Sequence, residues 1–398
     1  MKNVTVIGGG LSGLLTATAL AKRDFAVTCV YAGVGGLVLQ PGVVDVFGYG
    51  DEMVASAMKA VASAGAGHPY AAIGEAATTA GVELLRELAG PKLLVGDVGV
   101  NVCLPTAVGA WRPTCLYPPS MAAGVAAEKV VIVGLRGLRD FNPALIAGNL
   151  GVRSAMVDVA PGPGGVIPLA YARYFDTAEG QRVLVDALKA VVRDGETVGL
   201  PAVLGLENLE AWREIADALG HPVFEIPLPP PSVPGWRLYN ALVKVATLAG
   251  VRFWRGSKVV EVVREGGVVT GVVVESAGHS SAIACDALVL ATGGLTGGGL
   301  EIDDNQKIGE PLLGLPLAGV SDEPFNDDPL TPQPMWLVGV SVDGGMRPVD
   351  GAGKVLYSNL FAVGGLLAGS VRWNEKTTQG IAAGSAFAAA EAIAEELK

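Results

Sequence analysis

The chain has 398 residues, half of them hydrophobic, 17% charged, and 56 of them glycine. That length allows roughly two to three domains, and a chain so rich in apolar side chains is not a disordered one. The net charge of −11, with no Lys/Arg run, argues against nucleic acid as a partner, because phosphate binding needs a basic stripe.

The first eighteen residues after Asn3, "VTVIGGGLSGLLTATALA", carry no charge. A signal peptide or a membrane span would also be apolar. Three features favour strand, turn, helix instead. Val4–Ile7 is short and β-branched, Gly8-Gly9-Gly10 breaks the run, and Leu11, Leu14, Leu15, Thr18 and Ala19 follow at helical spacing. "FAVTCVY" (25–31) then reads as a second strand. Gly8-x-Gly10-x-x-Gly13 therefore sits where a dinucleotide fingerprint sits. Gly8 allows the sharp turn, Gly10 lets backbone approach a phosphate, and Gly13 lets the helix pack on the strand. The helix N-terminus offers N–H groups to an anion. The Asp or Glu expected about twenty residues on, to hold an adenosine ribose, is missing: the position reads Val30-Tyr31-Ala32-Gly33, and the next acid is Asp45. A cofactor with one phosphate and no adenosine does not need that carboxylate.

Further along, 52–64 and 75–89 read as helices, and "KVVIVGLRG" (129–137) as a buried strand whose glycines form a turn. "PPPSVPGWRL" (229–238) marks a boundary, followed by a helix over Leu238–Ala249. Three strands come next ("VRFWRG", "KVVEVVREGG", "GVVVES"), the last two joined by a glycine turn as in a meander. "CDALVLATGG" (285–294) and "SNLFAVGG" (358–365) are strands running into paired glycines, and a long helix opens around Gly380, Ala383 and Gly384. Cys29, Cys103, Cys115 and Cys285 form no CxxC pair, which excludes a four-cysteine iron–sulfur cluster of the chain's own. Cys29 and Cys285 read as core residues, a reducing cytoplasm is the expected compartment, and no metal site is expected.

Taken together, GGGLSGL, LVLATGG, NLFAVGG and the glycine-rich terminal helix resemble the flavoprotein family of succinate dehydrogenase and fumarate reductase flavin subunits. "HPYAAIG" (68–74), "LPTAVGAWRPTCLYPPSM" (104–121) and "VFEIPLPPPSVPGWRL" (223–238) are similar, more narrowly, to the B-subunit family of anaerobic glycerol-3-phosphate dehydrogenases. The resemblance implies an α/β fold with a Rossmann-like flavin domain in two parts, 1–98 and 235–398, the second carrying the β-meander, and an inserted capping or substrate domain at 99–234. It implies FMN, with FAD as the alternative. It also implies a larger FAD-containing catalytic subunit and an iron–sulfur subunit at the membrane as partners, with no span in this chain. The complex would oxidise glycerol 3-phosphate to dihydroxyacetone phosphate and pass electrons to quinone. By position, Gly8, Gly10, Leu11, Ser12 and Gly13 would meet the flavin phosphate. Thr292, Gly293 and Gly294 would lie along its chain, and Gly364, Gly365, Gly380 and Ala383 would approach the ring. The loop Gln40-Pro41-Gly42-Val43-Val44 departs from the serine-rich form of the family, which removes a hydroxyl contact to the flavin there.

Alcohol oxidation needs a base, yet His68, His221 and His279 all read more readily as turn residues. A phosphorylated substrate wants arginine. Arg112, Arg237 and Arg372 each neighbour a tryptophan in a Gly- or Pro-rich loop, Arg237 being the first choice, although each is equally readable as arginine packed on a ring. A free-standing FAD- or NAD(P)-dependent oxidoreductase and a non-catalytic electron-relay or structural subunit stand as alternatives.

Overall fold

The computed structural model describes residues 1–125, 127–162 and 165–398. The chain divides into two compact units. The first comprises Met1–Gly36, Asp45–Leu88 and Leu242–Lys398, and the second Leu37–Val44 and Ala89–Ala241. The divisions thus fall at residues 36, 44, 88 and 241 rather than at 98 and 234.

In the first unit, β1 (Asn3–Gly9) runs into α1 (Leu11–Ala21) and then β2 (Ala26–Val34). The alternative of an apolar export segment is replaced by a buried strand and helix. Val4 and Val6 are core residues, and α1 is buried from Leu11 to Leu20, as expected of a helix that is apolar all round. Its hydroxyls are satisfied locally: Thr16 Oγ1 donates to the Ser12 carbonyl at 2.9 Å and Thr18 Oγ1 to that of Leu14 at 2.6 Å. β1 lies in a five-stranded parallel sheet between β2 and the strand Ala287–Leu290, with Arg252–Arg255 beyond β2 and Leu360–Ala362 at the other edge. The chain leaves β1 toward β2 on one side, and its C-terminal segments fill the other. The carboxyl end of β1 is therefore a topological switch point, where open α/β sheets hold ligands.

"VRFWRG" belongs to this parallel sheet and not to the meander. The antiparallel meander is Lys258–Glu265, Val268–Ser276 and His279–Ala284. The helix expected over 52–64 is confined to Ala57–Ala62, and the next begins at Pro69, ends at Ala89 and kinks at Gly74. The last helix, Thr378–Glu396, packs against it through residues without bulk. A β-carbon at Gly81 would lie 2.2 Å from the Ala383 carbonyl oxygen, and one at Gly384 would meet Ile73 and Thr78. Cys29 and Cys285 are core residues as read; burial pushes their thiols up to about 12 and about 11.

The second unit carries its own parallel sheet, in the order Val223–Ile226, Thr197–Pro201, Val130–Leu135, Arg153–Val157. Helices Pro143–Leu150, Pro168–Phe175, Ala178–Lys189 and Ala211–Leu219 connect its strands. The Phe224 ring fills space left by two glycines, since β-carbons at Gly124 and Gly199 would each come within 2.7 Å of it. The helix after the prolines starts at Val233 rather than Leu238. Pro234 stands in its first turn, where no intrahelical N–H is missed.

Candidate cofactor-binding site

Three glycine segments meet at the carboxyl end of β1. Gly8 takes φ +124°, and a β-carbon there would lie 2.1 Å from the Ala291 carbonyl oxygen. A β-carbon at Gly9 would strike the Tyr31 ring at 2.7 Å, and one at Gly13 the Gly8 carbonyl oxygen at 2.0 Å. Gly10 differs: its β-carbon would meet only the Gly35 Cα, at 3.8 Å. Gly10 is the N-cap of α1, with ordinary backbone angles and no side-chain cap. The helix thus presents its first amides at a place where the protein leaves room, the requirement for an anion.

The other two segments close around it. Gly364, at φ +70°, has no room for a side chain because Ser12 Oγ would be 2.2 Å away. Its N–H donates to Ser385 Oγ at 2.9 Å. Gly365 lies on Gly293 and Gly294, where a β-carbon would be 3.3 Å from the Gly293 Cα and 3.2 Å from the Gly294 nitrogen. Beside them Thr292 Oγ1 is buried without a hydrogen-bond partner among the described residues.

A family model described as FAD binding domain matches residues 3–380. The probable anaerobic glycerol-3-phosphate dehydrogenase B subunit of Halobacterium salinarum is 33% identical, over 99% of this chain and 98% of its own length. The chain belongs to the FAD binding domain family and, within it, to the B-subunit family of anaerobic glycerol-3-phosphate dehydrogenases. The anaerobic glycerol-3-phosphate dehydrogenase B subunit of Pectobacterium atrosepticum is 29% identical over the same shares. A solved 3-ketosteroid delta1-dehydrogenase from Sterolibacterium denitrificans covers 100% of both chains at 11% identity and a TM-score of 0.49, a likeness too slight to bear on function.

As a member of this family the chain is a flavin-linked oxidoreductase, and its residues fit the cofactor. The space at Gly10 suits a phosphate, and the orphaned Thr292 hydroxyl lies in a cluster otherwise made of glycine backbone. Gly8, Gly10, Leu11, Ser12, Gly13, Thr292, Gly293, Gly294, Gly364 and Gly365 come together there. Gly380 and Ala383 make close contacts with other chain segments. The Gly380 N–H is given to the Asp45 carbonyl at 2.9 Å, and its Cα faces the Tyr70 hydroxyl and Val46. The Ala383 backbone faces Gly81. Their small size serves packing between chain segments. In the second unit, Gly42 of the Gln40–Val44 loop packs on Pro234, where a β-carbon would lie 2.6 Å from the proline Cβ.

The arginines separate. Arg237 lies on the helix Val233–Leu248, not in a loop, and is 6% exposed. Its Nη1 and Nη2 donate to Glu225 Oε2 and Oε1 at 2.7 and 3.0 Å, and its Nε to the Gly205 carbonyl at 2.7 Å. Ser120 Oγ and the Leu204 amide complete the carboxylate's partners at 2.6 and 2.8 Å. This fork is spent on holding the core of the second unit, so Arg237 is not the substrate-binding arginine expected. Glu225 was missed, although a carboxylate inside the apolar run "VFEIP" signals a buried partner. Arg112, half-buried, sits on the strand Trp111–Thr114 opposite Leu104. Arg372, in the short helix Arg372–Glu375 of the first unit, donates through Nη1 to the Leu367 carbonyl at 3.0 Å and through Nη2 to that of Gly365 at 2.8 Å. Burial pulls its pKa down, opposed by Glu375.

Two of the histidines are engaged with protein groups and the third is exposed. His68 Nδ1 accepts the Tyr70 amide at 3.1 Å while Nε2 lies 3.3 Å from Glu375 Oε2, so both ring nitrogens face protein. Burial pushes the Glu375 carboxyl up, but hydrogen bonds from His68 and Ser370 hold it below its usual range. His221 Nδ1 is 3.0 Å from the Glu196 carbonyl, and His279 opens the outer strand of the meander, exposed.

Proposed function

We propose that the chain is the flavoprotein B subunit of an anaerobic glycerol-3-phosphate dehydrogenase, with FMN in the glycine cluster. The complex would oxidise glycerol 3-phosphate to dihydroxyacetone phosphate, with a larger FAD-containing subunit and an iron–sulfur subunit carrying electrons to quinone. The observation that carries this reading is the vacant β-carbon position of Gly10 at the uncapped start of α1. The amides of Leu11 and Ser12 would hold the phosphate, with Thr292 donating its hydroxyl. Bound there, the flavin supplies electron and hydride acceptance. One phosphate suffices because the end of β2 offers Tyr31, Ala32 and Gly33 where an adenosine ribose would need a carboxylate. A capping role for the second unit belongs to the same proposal.

The engagement of His68 and His221, the place of His279 on the exposed meander strand and the committed Arg237 favour electron relay over substrate oxidation by this chain. No helix of the described residues is long and apolar enough to cross a membrane, so attachment to the inner face of the cell membrane would run through a partner.

Acid extraction of the purified native chain should release FMN. FAD would contradict the one-phosphate reading, and NAD the whole proposal. Glycerol 3-phosphate should fail to bleach the flavin of the isolated chain while dithionite bleaches it. Bleaching with the substrate alone would place the oxidation in this chain.

A further inference from the structure

Arg372 is the cation built into the glycine cluster. A β-carbon at Gly294 would lie 3.2 Å from its Nη2 and 2.7 Å from the Gly365 carbonyl oxygen. The guanidinium therefore reaches the seam where the two glycine pairs touch. Its two donors go to the carbonyls of Gly365 and Leu367, on either side of Leu366. A planar fork can bridge two such oxygens at fixed separation, whereas an ammonium cannot reproduce that geometry. The arginine is itself anchored. Glu375, at the other end of the same short helix, binds Ser370, Thr377 and His68, and its carbonyl accepts the amides of Gly48 and Tyr49 at 2.8 and 3.0 Å. Ser385 Oγ accepts the Gly364 N–H at 2.9 Å and donates its own hydroxyl to the Ile381 carbonyl at 2.6 Å. The turn Gly364–Gly365 has little intrinsic stiffness, since glycine is the most permissive residue. Its shape is imposed by these outside groups.

We propose that Arg372 is a positioning residue of the flavin site: it fixes the Gly364–Gly365 turn against Gly293–Gly294 and holds a positive charge at the seam. This rests on the flavin reading above. A flavin that gains negative charge on reduction is easier to reduce near a fixed cation, so the same residue sets both cofactor affinity and midpoint potential.

The experiment compares wild type, Arg372→Ala and Arg372→Lys as full chains, with folding followed by circular dichroism. The readouts are the dissociation constant for added FMN and the midpoint potential of the bound flavin. The alanine variant should lose affinity by about tenfold to a hundredfold, the range for hydrogen bonds from a charged donor, and its potential should fall. Free guanidinium at low concentration should restore part of the affinity. The lysine variant should recover the potential more fully than the affinity. A folded alanine variant with wild-type affinity and potential would overturn the proposal while leaving the flavin reading intact. Should alanine fail to fold, a lysine variant with unchanged affinity would overturn it equally. Wild-type protein that takes up no FMN would overturn both.

Discussion

Gly13 sits so close to Gly8 that a β-carbon on the one would lie 2.0 Å from the carbonyl oxygen of the other. The contact is backbone against backbone, so neither side can swing away. Gly13→Ala should therefore cost about 3 kcal/mol, the upper range for overpacking, measured as a drop in urea midpoint at unchanged slope. A loss below about 1 kcal/mol would mean that α1 does not rest on β1 as described.

The pair Arg237–Glu225 gives a second prediction, in the other unit. Both side chains are buried, and each is satisfied by the other and by neighbouring backbone. Removing one charge strands its partner. Glu225→Ala should destabilise by about 3–5 kcal/mol, while replacing both residues by apolar ones of similar volume should cost far less. Equal losses from the single and double variants in denaturant titration would contradict this.

How much of this was legible beforehand depends on how local the signal was. The unit from β1 to β2 could be read because strand, glycines and helix follow one another within thirty-odd residues, an order that has few other solutions. Three roles could not be read so. Gly380 and Ala383 look the same whether a helix start is kept slim for a ligand or for another helix. The close neighbour of Ala383 is Gly81 and those of Gly380 are Val46 and Tyr70, all some 300 residues earlier in the chain. Arg237 looked like an exposed loop residue because three prolines precede it, yet Pro234 is acceptable in a first helical turn. In the parallel sheet of the second unit Val130–Leu135 was legible as a strand, but Thr197–Pro201 and Val223–Ile226 are short, largely apolar runs that periodicity alone cannot separate from buried helix, and Arg153–Val157 is only partly apolar. The residues that wall the site from outside its motifs, Tyr31, Gly35 and Ser385, carried no pattern of their own.

Stability should depend on pH through Glu196. The hydrogen bonds of Arg153 hold its carboxyl below the usual range, against burial that pushes it up, with the Arg193 amide assisting. A carboxyl depressed in the folded state contributes stability above its unfolded value, and loses it as pH falls through the folded one. Glu196→Gln should be weaker than wild type by about 1–3 kcal/mol at neutral pH. The gap should close progressively below about pH 4, where the unfolded carboxyl begins to take up protons. A gap constant down to acid pH would show that the charge has no part in it.

The most direct test is flavin content in Gly10→Leu. The position has ordinary backbone angles and nothing nearer than the Gly35 Cα, so the variant should fold with stability within about 1 kcal/mol of wild type. Its side chain would occupy the space left for the phosphate, so the purified protein should be colourless and bind no added FMN while wild type is yellow. A folded Gly10→Leu protein with full flavin content would contradict the placement of the cofactor at the start of α1.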